Sequence, residues 1–148
     1  KTMQSLLSVD IRLLETAERK IMIKKQLDIR GVSAILAVEA VQQQAEAFEK
    51  FLDKRFTGSR VAKYPLEGRF GHRQLKIEAD LFLEQEDQVT VVLFAGFAEG
   101  MKKWKQQVQN MAPEAGWTKL LLQQLFPDKK SALMIVFPVE GMCCTLEQ

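Results

Sequence analysis

The sequence predicts an α+β fold of the order α-αβββαβ: two N-terminal helices, a β-meander, a broken helix and a closing strand, forming a mixed sheet packed against helices. Three observations carry this reading. Apolar residues recur at steps of three and four through roughly the first 56 positions, the period of helices that bury one face. Between residues 60 and 97 the period shortens to two and then gives way to a continuous apolar run, as in a half-buried strand followed by a fully buried one. A helical stretch then leads to a last apolar segment at 131–137, and a strand reached through a helix favours parallel pairing.

The first helix is expected from Thr2 to about Leu27, a stretch without Gly or Pro in which Leu7, Ile11, Leu14 and Ile21 share a face. Gly31 interrupts it, and Ser33 suits the N-cap of a second helix running to about Phe56. In that helix Ala34, Val38, Val41, Ala45, Phe48 and Leu52 form one seam, too short to define a coiled coil. Such a seam either packs on a core or receives a partner, which makes Val38, Val41, Phe48 and Leu52 partner-binding candidates. Gly58 stops the helix.

Residues 60–70 read as a first strand, restricted to an edge because Pro65 has no N–H to donate. Gly71 and His72 make a turn. Leu75, Ile77, Ala79, Leu81 and Leu83 then alternate with Lys76, Glu78, Asp80, Phe82 and Glu84, which predicts a strand with one polar face. Val89–Phe97 is apolar on nearly both faces and reads as a central strand. Met101, Trp104, Val108 and Met111 form a helical stripe; Pro113 and Gly116 are expected to break it, with helix resuming over Trp117–Phe126. Ser131–Phe137 is the closing strand, ended by Pro138. The tail beyond it predicts no element.

The 148 residues suit one domain, with 1–30 as a helical extension and 33–140 as the αβββαβ core of what reads as a fragment of a larger protein. A net charge of +2 means that any nucleic-acid role must rest on a local patch. The adjacent Cys143 and Cys144 and the lone His72 fall short of the four ligands of a structural zinc, so neither metal nor cofactor is expected. No Gly-rich phosphate loop occurs, and nothing places His72 beside a nucleophile. No apolar run approaches the roughly 20 residues of a membrane span, so no membrane partner is expected. The cysteine usage fits a reducing, intracellular compartment, cytoplasmic or nuclear.

Across residues 45–140 the chain resembles the nuclease domain of the RecB and AddA type, within the PD-(D/E)XK superfamily. "AFEKFLDKRF" is similar to the helix before the sheet, and "LEGRF…LKIEADLFLE" to the segment ending in the metal-binding aspartate. "VTVVLFAGF" is similar to the next strand, "MKKWKQQVQNM" to a following helix, and "LLLQQLFPDKKSALMIVFPVEG" to the closing helix, turn and strand. The resemblance implies Mg²⁺-dependent phosphodiester hydrolysis, with one aspartate on the second strand and an acidic residue and a lysine two positions apart on the third. That spacing puts both on one face of a strand. Asp80 matches the first position. The other two fall on Leu93 and Ala95, and no charged residue lies between Val89 and Ala98 in any register. Glu67 could add a carboxylate from the first strand, but the lysine is missing, as is the family's histidine on the first helix. The resemblance thus implies a degenerate, non-cleaving copy with a vestigial Asp80 and an empty apolar notch at Leu93 and Ala95.

Arg69, His72 and Arg73 make a basic turn, and Lys102, Lys103 and Lys105 flank Trp104 near a helix start. These six are the nucleic-acid-binding candidates. The plainer readings are a solvated turn and a core tryptophan. Two functions follow: a non-catalytic nuclease-like domain that is a structural or DNA-contacting part of a DNA-processing or repair assembly, or a module that joins other subunits or a second copy through its N-terminal helices.

Overall fold

A computed structural model of the chain describes residues 15–29, 31, 37–95, 101–137 and 142–146, with backbone alone at 101–105 and 142. The chain divides into two compact units, residues 1–55 and 56–148. The second helix therefore groups with the first, where the sequence pattern had joined it to the sheet.

In the first unit, α1 (Thr16–Ile29) and α2 (Val38–Arg55) are joined by apolar packing and weak ion pairs. At the start of α1 the Glu18 carboxylate accepts the Glu15 N–H at 3.1 Å, which satisfies one of the donors a helix start leaves open. After its end the Gly31 N–H bonds the Asp28 carbonyl with φ at 65°, a turn that favours glycine. α1 buries Ile23 and Leu27, one turn apart, and α2 buries Val41, Gln42, Ala45 and Leu52. Ile21, predicted on the buried face, is 69% exposed; the buried stripe runs through Ile23 instead. Arg19–Glu46 at 3.7 Å and Lys20–Glu39 at 3.8 Å bridge the two helices, each worth at most about 1 kcal/mol. Leu7, Ile11, Leu14, Ser33 and Ala34 lie outside the described residues.

The second unit is a five-stranded sheet in the order β1-β2-β3-β4-β5 with one long helix. β1 (Ser59–Phe70) and β2 (Arg73–Glu84) form an antiparallel hairpin whose two-residue turn has Gly71 at φ 60°, the conformation such turns demand at their first position. β1 is an edge strand, as Pro65 requires. β2 pairs antiparallel with β3 (Gln88–Phe94), and β3 pairs parallel with β4 (Lys130–Phe137). Between them runs α3 (Met101–Leu125), the crossover that parallel pairing needs. β5 (Met142–Leu146) pairs antiparallel with β4 and was not anticipated.

α3 passes through both Pro113 and Gly116 without a break. A proline inside a helix removes one hydrogen bond and strains the preceding turn, at about 3 kcal/mol. Burial after the proline outweighs this: Ala115, Leu121 and Leu122 join Leu66, Ala79, Phe82, Val89, Val91, Leu93 and Leu133 in one core cluster. At roughly 1.5–3 kcal/mol per buried leucine, the two helix leucines alone offset the proline. Gly68 on β1 permits the close approach, since a Cβ there would lie 2.4 Å from Leu121 Cδ2 and 2.6 Å from Gln124 Oε1. Beyond the end of α3, Lys129 Nζ reaches Glu84 Oε1 at 2.8 Å and the Gln85 carbonyl at 3.0 Å, joining the turn before β4 to the turn after β2.

β3 and β4 are buried on both faces, as their unbroken apolar character predicts. β2 departs from simple alternation. Ala79 and Phe82, three positions apart, belong to the same core cluster, and Tyr64, opposite Ala79, stacks on Phe82 at 4.3 Å. Strand period two would put residues three apart on opposite faces, so the pleat changes phase between them, at Asp80.

Candidate functional site

Asp80 sits where two ladders fail together. The β1–β2 register pairs Ala62 with Leu81 and Tyr64 with Ala79, but no Lys63–Asp80 pair forms between them. The β2–β3 ladder runs from Glu84–Val89 to Leu81–Val92 and stops. The Asp80 carboxylate takes over from the missing backbone contacts. Its Oδ2 accepts the Phe94 N–H of β3 at 2.8 Å, and its Oδ1 accepts from Lys63 Nζ of β1 at 2.7 Å. A carboxylate accepting a backbone N–H is a charge-assisted bond, about twice as strong as a neutral one.

Lys63 has φ at 55°, the left-handed region, which costs a residue with a Cβ roughly 1–2 kcal/mol. Its ammonium also lies 3.4 Å from Glu78 Oε1, so one cation serves both carboxylates. The Lys63 pKa is raised, first by the hydrogen bond to Asp80 and then by the charges of Asp80 and Glu78, with partial burial opposing them. Asp80 is the enclosed member at 14% side-chain exposure, while Lys63 is 45% exposed and Glu78 more so. Four register positions further along, Lys76 Nζ meets Glu67 Oε1 at 2.6 Å across the same hairpin, and Glu67 raises the Lys76 pKa. Glu67, Glu78 and Asp80 are thus each paired with a lysine of the neighbouring strand.

The third strand carries hydrocarbon at both of the expected positions. Leu93 is 3% exposed and packs in the cluster under α3; Ala95 is 6% exposed and packs with Ile135 and Phe137. The expected empty notch is therefore filled: both residues are core. A catalytic Mg²⁺ wants hard oxygen ligands with free lone pairs directed at one point. Here Asp80 already spends both oxygens on protein donors, and β3 offers no side-chain oxygen in line with it. Among the described residues no three His, Cys, Asp or Glu side chains converge as metal ligands. The residues present do not fit the metal that the resemblance implies.

The other candidates are dispersed. Arg69, His72 and Arg73 are exposed at the β1–β2 turn, where Arg69 and His72 line an open depression with Glu67, Gly68 and Gln74. Register pairs Phe70 with Arg73 and Arg69 with Gln74, so the two arginines point to opposite faces of the hairpin. Gln124 Nε2 of α3 donates to the Arg69 carbonyl at 3.2 Å, fixing this end of β1 to the helix. Phe70 lies against Trp117, with ring centroids 6.1 Å apart, and Trp117 remains partly exposed. Lys102, Lys103 and Lys105 belong to the first turns of α3, but their side chains and that of Trp104 lie outside the described residues. Of the partner-binding candidates, Val41 and Leu52 are buried within the chain and Val38 and Phe48 half-buried. Cys143 and Cys144 are both free; Cys143 is exposed on β5, and Cys144 packs towards Ile135 and Phe137.

Sequence reasoning found Asp80 and missed Lys63. Lysine in an edge strand reads as solvated, and nothing in its neighbours announces a left-handed backbone. The available clue was register: closing the hairpin at Gly71–His72 sets Lys63 opposite Asp80.

Fold and site define an α+β arrangement with a mixed sheet, a central strand parallel to its crossover partner, and a carboxylate inside the second strand held by a lysine. No family model matches the sequence. No curated protein matches it. Among solved structures the chain is similar to the crystal structure of SSO0001, at 16% identity over 99% of this chain and 74% of that one, with a TM-score of 0.34, too slight a likeness to add to the description.

Proposed function

We propose that this chain is a nuclease-like domain that does not cleave and that serves as a structural, DNA-contacting part of a DNA-processing or repair assembly. The observation that carries the reading is the placement of Asp80. It lies beside a central third strand that runs parallel to β4, with its carboxylate bonded to Phe94, while the neighbouring positions Leu93 and Ala95 are core. A plain meander has no reason to interrupt two ladders around one aspartate. DNA contact would fall on Arg69, His72 and Arg73, whose side chains make no ion pair with a described residue.

Fluorescence anisotropy with a labelled DNA tests this across a salt series. Contact through these residues gives affinity that falls with salt, and removing the three side chains, two of them arginines, should flatten the log–log slope by about 1–2. Absence of binding at low salt, or an unchanged slope, would count against the reading. A second reading, assembly through the N-terminal helices, draws support from their forming a separate compact unit and from the exposed Ile21 and Ile29 on α1. Under it, a chain starting near Gly31 loses assembly; under the first, that chain keeps its DNA contact.

A further inference from the structure

We propose that Lys63 is the resident cation of the Asp80 site: a covalently attached ammonium that stands in for the divalent metal, so that Asp80 works as a tie between strands and not as a metal ligand. The inference rests on side-chain geometry and needs no DNA contact, so the two can fail separately.

Three features converge. First, one ammonium addresses two carboxylates two positions apart on β2, at 2.7 Å to Asp80 and 3.4 Å to Glu78, which is how an added cation would be shared. Second, the backbone delivering it is left-handed. Glycine would occupy that conformation without strain, so a lysine there indicates that the side chain is what the position holds. Third, the carboxylate is oriented from its other side by the Phe94 N–H, which leaves Oδ1 directed at Lys63. Lys63 on β1, Asp80 on β2 and Phe94 on β3 therefore make one chain of charge-assisted bonds across three strands, placed where the ladders themselves are interrupted. A free divalent ion would have to displace a tethered positive charge, and Leu93 and Ala95, packed in the core, give it no oxygen ligand. The tie holds at any metal concentration.

The test compares the full chain with Lys63→Gly, which keeps the left-handed backbone and deletes the ammonium, and with Lys63→Gly/Asp80→Asn. Mn²⁺ binding is read by electron paramagnetic resonance, and thermal midpoints are read in Mg²⁺ and in EDTA. The unaltered chain should leave Mn²⁺ free and melt identically in both media. Lys63→Gly, which also relieves the left-handed strain, should melt higher in Mg²⁺ than in EDTA and bind Mn²⁺ roughly tenfold more tightly or better, because a repelling charge has been removed. The double variant should lose both gains. Asp80-dependent Mn²⁺ binding by the unaltered chain would overturn the proposal, as would a Lys63→Gly chain that shows no Asp80-dependent response to Mn²⁺ or Mg²⁺. If Lys63→Gly does not fold, Lys63→Asn, which also tolerates this φ and carries no charge, reads the same outcomes.

Discussion

Replacing Asp80 by alanine removes two bonds at once, and their worth can be worked from the site. The Phe94 N–H, buried beside β2, loses a charged acceptor at 2.8 Å, a loss of about 1.5–3 kcal/mol. The Lys63 pair adds at most about 1 kcal/mol, because Lys63 is half in solvent and keeps Glu78 nearby. The expected loss is therefore about 2–4 kcal/mol. Asp80→Asn retains an amide oxygen for the Phe94 N–H and should lose only about 1 kcal/mol, the margin between a charged and a neutral acceptor. Glu78→Ala, on an exposed side chain, should stay within about 0.5 kcal/mol of the unaltered chain. Urea denaturation at neutral pH in EDTA, followed by far-ultraviolet circular dichroism, measures all three. The order Ala, Asn, Glu78→Ala is the expected one. A carboxylate kept for metal binding would behave oppositely, since without the metal its removal relieves repulsion and is neutral or stabilising. Asp80→Ala at or above the stability of the unaltered chain would refute the tie.

Other outcomes follow from packing and charge. Gly58→Ala should unfold the second unit or cost more than about 3 kcal/mol, because the new Cβ would lie 1.7 Å from the Glu84 carbonyl oxygen, a backbone atom with little room to retreat. Gly68→Ala meets only side-chain ends and should cost about 1–3 kcal/mol, most of it from the fully buried Leu121, as thermal or urea unfolding would show. Leu93→Ala should cost about 2–5 kcal/mol by the same measurement, and Leu93→Glu more, without creating cleavage, because that side chain points into the core under α3. The Lys63 pKa is raised above its ordinary 10.5 in the folded state, so the tie's contribution is fully present below that pH and is lost as pH rises through the folded value. The difference between the urea midpoints of the unaltered chain and Lys63→Gly should stay constant from neutral pH to about 10 and shift in favour of Lys63→Gly above it, as the ammonium is lost and the backbone difference remains.

Much of the fold was legible because its elements differ in period. The unbroken apolar runs of β3 and β4 gave two buried strands, the helical stripe between them gave a crossover, and Pro65 gave an edge. The errors fall where tertiary burial overrides a local rule. Pro113 and Gly116 are strong breakers, yet Ala115, Leu121 and Leu122 hold α3 on the sheet through them. Ile21 lay one step off the true stripe, because a helix with little amphipathic contrast does not define its buried face. β5 was passed over because five residues ending in an exposed leucine carry too short a pattern to read. At the site, Asp80 stands out in the sequence as a carboxylate on the polar face of its strand, and the apolar character of Leu93 and Ala95 is plain. That those two are packed rather than lining a notch, and that Lys63 turns left-handed to meet Asp80, are properties of three strands meeting and not of any one segment.

The measurement that bears most directly on the account is incubation of the chain with end-labelled single- and double-stranded DNA in Mg²⁺ or Mn²⁺, resolved on a denaturing gel. Both substrates should be recovered intact at every metal and protein concentration, with shifted but uncut DNA on a native gel at low salt. Metal-dependent cleavage that disappears on Asp80→Ala would be the contradicting result, because Asp80 would then be serving a metal in place of Lys63.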